Sequence, residues 1–322
     1  MMNSFYPFTF TPIFKERIWG GTKLADHLHK TIPFAQTGES WELSTVAGDV
    51  SVVANGVWEG TSLQTLLDQY PEDILGSVVH AKFGTQFPLL FKFLDAREDL
   101  SIQVHPNDEL AAARHNSFGK TEMWYVMQAD PGSRLLVGFK ENSSAAAYIE
   151  ALNQKKMLSL LESFPVQKGE VFFLETGTVH AIGAGCLIAE IQQTSDITYR
   201  LYDFDRVDAQ GNTRELHIDL ALDAINYQHV QAKQSYTAQI NAATNLVDCP
   251  YFTTNQIQLD GEITITKSGD SFTVYMCTEG SFSIQVDKQS FEYALGTTVL
   301  VPAVLREFQL RGKASLLEIQ VK

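Results

Sequence analysis

The sequence predicts a mainly β protein: a β-sandwich domain with helical insertions, followed by a smaller all-β domain. Strand-like runs rich in Val, Phe, Tyr and Thr recur along the chain, separated by Gly, Asp and Asn turns at the short spacing of sandwiches and barrels. Helical spacing of apolar residues interrupts the first set of strands but not the second. A length of 322 residues allows one large domain or two ordinary ones.

The first set comprises "SVVANGVWEG" (51–60), "PLLFKFLDA" (88–96), "LSIQVHP" (100–106), "TEMWYVMQA" (121–129), "SRLLVGF" (133–139), "GEVFFLETG" (169–177), "CLIAEIQQTS" (186–195) and "ITYRLYDF" (197–204). Among these lie helical patterns. "TSLQTLLDQYPEDIL" opens with Thr61 as a cap, "NDELAAARH" is Ala-rich, and "SSAAAYIEALNQKKMLSLLESF" reads as one helix or two in tandem; "RELHIDLALDAIN" has helical spacing too. The polar stretch "HVQAKQSYTAQINAATN" (229–245) marks the boundary, dividing the chain into 1–235 and 236–322. Beyond it come "YFTTNQIQL", "EITITKSG", "FTVYMCTEG", "FSIQVDK", "TTVLVPA", "REFQLRG" and "SLLEIQV", each predicted as a short strand ended by a turn.

A formal charge of −14 with no run of Lys or Arg argues against nucleic acid as a partner. An anionic ligand must therefore be held by local cations against the overall field. The cysteines Cys186, Cys249 and Cys277 are odd in number and form no CxxC, which fits a reducing compartment. No apolar stretch has signal-peptide or membrane-span length, and the most apolar one, "FPLLFKFL", is broken by Lys92. The expectation is a cytoplasmic protein, a monomer or small homo-oligomer, with no membrane partner.

One polar constellation stands out from this background. Side chains alternate across a strand, so Ser101, Gln103 and His105 share a face, and so do Lys120, Glu122 and Trp124. "KGEVFFLETGTVHAIGAG" adds an apolar strand, a Gly-containing turn and His180. Two histidines and a carboxylate from different strands suit a divalent metal such as Zn²⁺. From spacing alone an ordinary surface or core histidine is the commoner case, since neither HExxH nor CxxC accompanies them.

"FPLLFKFLDAREDLSIQVHPNDELAAARHNSFGKTEMWYV" followed by "GTVHAIGAGCLIAEIQQTSDITYRLYDFDR" closely resembles the type I mannose-6-phosphate isomerases of the short bacterial form, as do "KERIWGGTKL" and "GESWELS" upstream. The resemblance spans about residues 10–225, with separate motifs in the right order. It implies a cupin (jelly-roll) fold and a zinc-dependent aldose–ketose isomerase acting on a sugar phosphate through an enediol. Gln103, His105, Glu122 and His180 are then the implied zinc ligands, one ion per chain, and Arg200 the implied catalytic arginine. Glu190 matches a proposed base, and Ser101 and Lys120 match positions lining the substrate pocket. Trp19, Glu39 and Trp41 lie in family-like segments and are candidate pocket walls, although a Trp in a β protein is more often core.

One departure is Glu175 in "LETGTVHA", where the family usually carries Pro. No histidine follows His229, so the C-terminal all-β domain is expected to be cupin-like without metal ligands. Three other readings are weighed. A metal-containing sugar-binding or regulatory cupin would need neither Glu190 nor Arg200. An iron-dependent cupin dioxygenase sits poorly with Gln103 among the ligands. A bifunctional nucleotide-sugar enzyme would need a further domain and a Gly-rich phosphate loop.

Overall fold

The computed structural model describes residues 5–207 and 210–322, so the first four residues of the N-terminal stretch lie outside the described residues. Its organising element is a seven-stranded sheet facing a five-stranded one. In the larger sheet the order is Ile13–Gly21, Thr37–Leu43, Leu89–Ala96, Cys186–Gln193, Glu122–Ala129, Val171–Leu174 and Lys233–Gln234. In the smaller it is Tyr199–Tyr202, Ile102–Val104, His180–Ile182, Arg134–Phe139 and Leu161–Pro165. All pairings in both are antiparallel. This is the jelly-roll sandwich that the sequence predicts.

Strand alternation distributes side chains over three apolar clusters. Leu94, Trp124, Phe172 and Ile188 of the large sheet meet Leu135, Val137 and Ile182 of the small one, filling one end of the sandwich. Phe91, Phe93, Tyr125 and Ile191 point the other way, under the helices Leu63–Gln69, Pro71–Leu75 and Ser77–Phe83 and the C-terminal sheet. The outer face of the small sheet, with Ile102, Leu136 and Leu201, is covered by the helices Ala145–Asn153 and Ile218–Leu222. Because both faces of the large sheet are covered, its central strands read as continuous apolar runs.

The C-terminal region is a six-stranded antiparallel sheet built around three strands of 14 residues each: Thr253–Thr266, Thr273–Val286 and Glu307–Gln320. Here the prediction of many short strands is corrected. Asp260-Gly261, Glu279-Gly280 and Arg311-Gly312 look like turns but lie inside continuous strands, where Gly261 pairs with Gly312 and Gly280 with Ala314. All three glycines have positive φ, so they bend and twist the strands without ending them. The sheet curls around Leu259, Tyr275, Phe282, Phe308 and Leu316.

Three further expectations change. "MLSLLESF" is not helical: a short 3₁₀ turn, Met157–Ser159, leads into the Leu161–Pro165 strand. Lys155 takes φ +56°, breaking the helix, and Phe164 then packs edge-on to Phe172 at 5.3 Å. "SVVANGVWEG" forms isolated bridges and the 3₁₀ turn Gly56–Trp58, because the Asn55 side chain bonds the backbone of Pro7 and Thr9. The helix after it is capped by Ser62, which accepts from the Thr65 amide, and not by Thr61. No helix among the described residues is long and apolar enough to cross a membrane.

Gly280 gives a direct test of the bend. A Cβ there would lie 2.1 Å from the Lys313 carbonyl oxygen, at φ +74°. Gly280→Val is expected to destabilise by about 2–3 kcal/mol, read as a lower urea midpoint with unchanged slope. An unshifted midpoint would remove the glycine from this structural role.

Candidate active site

The site is assembled from both sheets. Gln103 pairs with His180 on one side and with Arg200 on the other, so these three lie abreast on the small sheet. Glu122 opens a strand of the large sheet, between Leu174 and Gln192, and reaches across the gap. His105 follows directly after the Ile102–Val104 strand.

His105, Glu122 and His180 offer ligand atoms all within 4.8 Å of one another. The two Glu122 oxygens lie 3.6 Å from His105 Nε2 and 3.3 Å from His180 Nε2, and the Gln103 amide nitrogen is 3.2 Å from His180 Nε2. Both imidazoles are oriented from behind: His105 Nδ1 lies 2.9 Å from the Ile197 carbonyl and His180 Nδ1 2.8 Å from that of Thr178. A carbonyl only accepts, so each Nδ1 carries the proton and each Nε2 lone pair faces Glu122, the tautomer a metal ligand needs. Burial holds both rings neutral, pushing His180 down to about 4 and His105 well below its ordinary range.

Glu122 supplies the test of fit. It is wholly buried, and neither oxygen has a hydrogen-bond partner among the described residues. Lys120 Nζ lies 3.2 Å from Oε2, an ion pair that answers part of the charge. Burial raises the carboxyl to about 7 despite that ammonium. An unsatisfied buried carboxylate is costly, and a divalent cation among these donors removes the cost. The residues therefore fit a metal.

Beside this cluster runs a row of side chains in register across the large sheet: Trp41, Lys92, Glu190 and Trp124. Glu190 Oε1 is 3.2 Å from Lys92 Nζ, and its Oε2 accepts from Trp124 Nε1 at 2.8 Å. Burial favours the neutral acid, but Lys92 and Lys120 outweigh it and hold Glu190 below the usual carboxylate range. Glu39 closes the row, accepting from Trp41 Nε1 at 2.6 Å and from Arg17 Nε at 2.7 Å. Against burial, Lys92 and Arg17 hold Glu39 at about 2.

Trp41, Lys92, Glu190, Glu39 and Gln103 line a cavity of about 620 Å³ that also takes in Ser101, Trp19, Arg200 and Arg214. Lys120 is buried, 3.1 Å from His105 Nε2. Arg200 makes no ion pair with Asp196, Asp203 or Asp205. Asp203 is taken by Arg206 and Arg214, and Asp205 by Lys155 at 3.0 Å. The Arg200 Nη1 donates to the Glu215 carbonyl at 2.9 Å, while its Nε is buried without a partner. Glu175 is exposed, yet its turn forms: Thr178 donates to the Glu175 carbonyl at 3.1 Å, and Gly177 supplies φ +87°.

Sequence reasoning missed Lys92, Arg17, Lys15 and Arg214 as cavity residues. For Lys92 a signal existed, since a lysine within a run of buried apolar strand residues needs a buried partner. For the others only tertiary folding shows which cations converge.

The chain matches the model of the phosphomannose isomerase type I catalytic domain over residues 8–129 and that of the mannose-6-phosphate isomerase cupin domain over 242–321. It is 37% identical to the mannose-6-phosphate isomerase ManA of Bacillus subtilis (strain 168) over 313 residues, 96% of each chain. It is 35% identical to the mannose-6-phosphate isomerase of Streptococcus mutans, over 94% of each. A crystal structure of the mannose 6-phosphate isomerase from Bacillus subtilis superposes with a TM-score of 0.88 at 33% identity, over 97% of this chain and 99% of that one.

The depressed Glu39 carboxyl makes a signed prediction. Its folded pKa of about 2 lies below its ordinary 4.5, so its contribution to stability is present above about pH 4.5 and is lost as pH falls toward 2. Wild type should exceed Glu39→Gln by roughly 2–3 kcal/mol near neutrality, with the gap closing across that acid window in urea titrations. A pH-independent gap would refute the assignment.

Proposed function

The chain belongs to the type I mannose-6-phosphate isomerase family and is an enzyme of that kind, and from that premise we propose that it interconverts mannose 6-phosphate and fructose 6-phosphate with one zinc ion, through an enediol. The observation that carries the metal is the buried Glu122 carboxylate, unsatisfied between two inward-facing Nε2 lone pairs. Gln103, His105, Glu122 and His180 are the proposed ligands. Neutral amide and imidazole donors with a single carboxylate leave a zinc ion net positive, a Lewis acid able to polarise the sugar oxygens.

The remaining work falls to the chain's own side chains. Isomerisation moves a proton between C1 and C2 next to a carbonyl. Glu190 is the proposed base: it is held ionised, and its carboxylate keeps lone pairs free beyond those bound by Lys92 and Trp124. Lys92 and Trp124 fix both of its oxygens, so the base is oriented before substrate arrives. Arg200, with no carboxylate partner, is the proposed stabiliser of the negative charge that develops on the substrate oxygens. Ser101 and Lys120 are proposed to orient the sugar phosphate, a role supported by their place on the cavity wall. The cations around the cavity supply the local attraction that a protein of net charge −14 otherwise lacks for an anion.

A division near residue 235, with a metal-binding catalytic part before it and a cupin-like part lacking ligands after it, is supported by the sheet assignments. Lys233–Gln234 pairs into the first sandwich and Ala243–Asp248 into the C-terminal sheet. Three free, buried cysteines support a reducing, cytoplasmic setting.

The decisive experiment is a coupled assay on mannose 6-phosphate with metal-quantified protein, with and without chelator, run in parallel in heavy water. Activity should track zinc content, and deuterium should appear at C2 of the aldose product when fructose 6-phosphate is the starting material. Inactivity at full zinc occupancy would overturn the activity, and full retention of the original hydrogen would overturn the enediol route. Gln103→Leu should lower zinc retention on dialysis by roughly 10–100-fold while leaving the circular dichroism unchanged. Wild-type retention in that variant would remove Gln103 from the ligand set.

A further inference from the structure

The Tyr199–Tyr202 strand that carries Arg200 is an edge strand of the small sheet. On its inner side Arg200 lies opposite Gln103. Both backbone groups of Arg200 are bound by one residue, His217. The Arg200 amide donates to His217 Nδ1 at 3.0 Å, and the His217 amide donates to the Arg200 carbonyl at 2.8 Å. A backbone N–H only donates, so Nδ1 carries a lone pair and the ring proton sits on Nε2. The imidazole thus stands where a neighbouring strand would present a carbonyl, completing an antiparallel pair from a side chain.

The same segment holds the far end of the arginine. Two positions before His217, the Glu215 carbonyl accepts from Arg200 Nη1 at 2.9 Å. Arg214 Nε donates to the Asp203 carboxylate at 2.7 Å, tying the start of the segment to the residue just after the strand. His217 leads into the Ile218–Leu222 helix, whose Leu220 carbonyl accepts from Arg114 Nη1 at 3.0 Å. Glu215 and Leu216 are exposed, so this set of bonds fixes the segment against the strand. Burial and then the Arg214 cation weigh against the charge of Arg200, and a fixed acceptor helps to keep its guanidinium on the cavity wall.

We propose, on the reading of Arg200 as the stabiliser of developing charge, that His217 is the positioning residue that sets its guanidinium. His217 grips the Arg200 backbone directly and, through the short segment before it, places the Glu215 carbonyl on Nη1. Removing the Nδ1 acceptor leaves an edge amide unpaired and frees the carbonyl that aims the guanidinium. A shift of about 1 Å in a group that acts in the transition state costs up to roughly 100-fold in rate. Substrate contacts made from other strands are untouched, so the loss falls on kcat more than on KM.

The test compares full-length, zinc-loaded variants on mannose 6-phosphate. His217→Ala and His217→Phe both remove the acceptor, the second keeping a ring beside that of Tyr199, 6.3 Å away. Each should lower kcat roughly tenfold with KM within about twofold of wild type. His217→Asn, whose side-chain oxygen can accept from the Arg200 amide, should recover most of the rate. In an Arg200→Gln background, His217→Phe should cost less than about twofold, since the group it positions is gone. Wild-type kcat in either acceptor-less variant, a His217→Asn protein as slow as those two, or the full loss persisting beside Arg200→Gln would overturn the positioning role alone. Arg200→Gln turning over at the wild-type rate would overturn the reading of Arg200, and the positioning role with it.

Discussion

A carboxylate buried between two β-sheets, answered among the described residues by a single ammonium, is the constraint around which this molecule is arranged. Glu122 opens a strand of the large sheet, and two imidazoles reach it from the small one, with the Gln103 amide beside His180. Placing that charge away from water is tolerable only where cations can answer it. The sandwich provides Lys120 at 3.2 Å and a set of donors suited to a divalent metal. The carbonyls of Ile197 and Thr178 orient the histidines so that their lone pairs face inward.

The same rule organises the next layer. Lys92, Glu190 and Glu39 are all buried, and each is paired, so the charged row crosses the sheet as a chain of ion pairs bounded by Trp41 and Trp124. Pairing explains why two carboxylates remain ionised while Glu122, less well compensated, is pushed the other way. Three carboxylates of one sheet thus acquire different characters from their neighbours alone. Arg200 is the exception among the cavity cations, since among the described residues no carboxylate forms an ion pair with it and its Nε is buried without a partner.

In the C-terminal sheet the controlling feature is backbone freedom and not charge. Gly261, Gly280 and Gly312 take conformations open to few other residues and let three long strands curl around one apolar cluster. Phe272 from this region packs at a tilt against Phe87, ring centroids 4.7 Å apart, so the two β units share packing and not merely a chain connection. The C-terminal sheet in this way supports its neighbour through shared apolar packing.

The mainly β class was legible in the sequence because period-two patterning and turn residues are local properties. So was the polar face carrying Ser101, Gln103 and His105, since alternation requires no knowledge of partners. The ordered motifs then tied Glu122, His180, Glu190 and Arg200 to that face by resemblance. What strand periodicity cannot show is register between strands distant in the chain, and register is what sets Lys92 against Glu190 and Glu190 against Trp124. Nor could local pattern show that Gly280 bends a strand where it seemed to end one, because a turn and a bulge use the same residue for the same freedom. The sequence by itself determined which residue types were available to hold a metal. Only the tertiary structure decided which charges are buried together, since desolvation and pairing depend on contacts the chain makes after it folds.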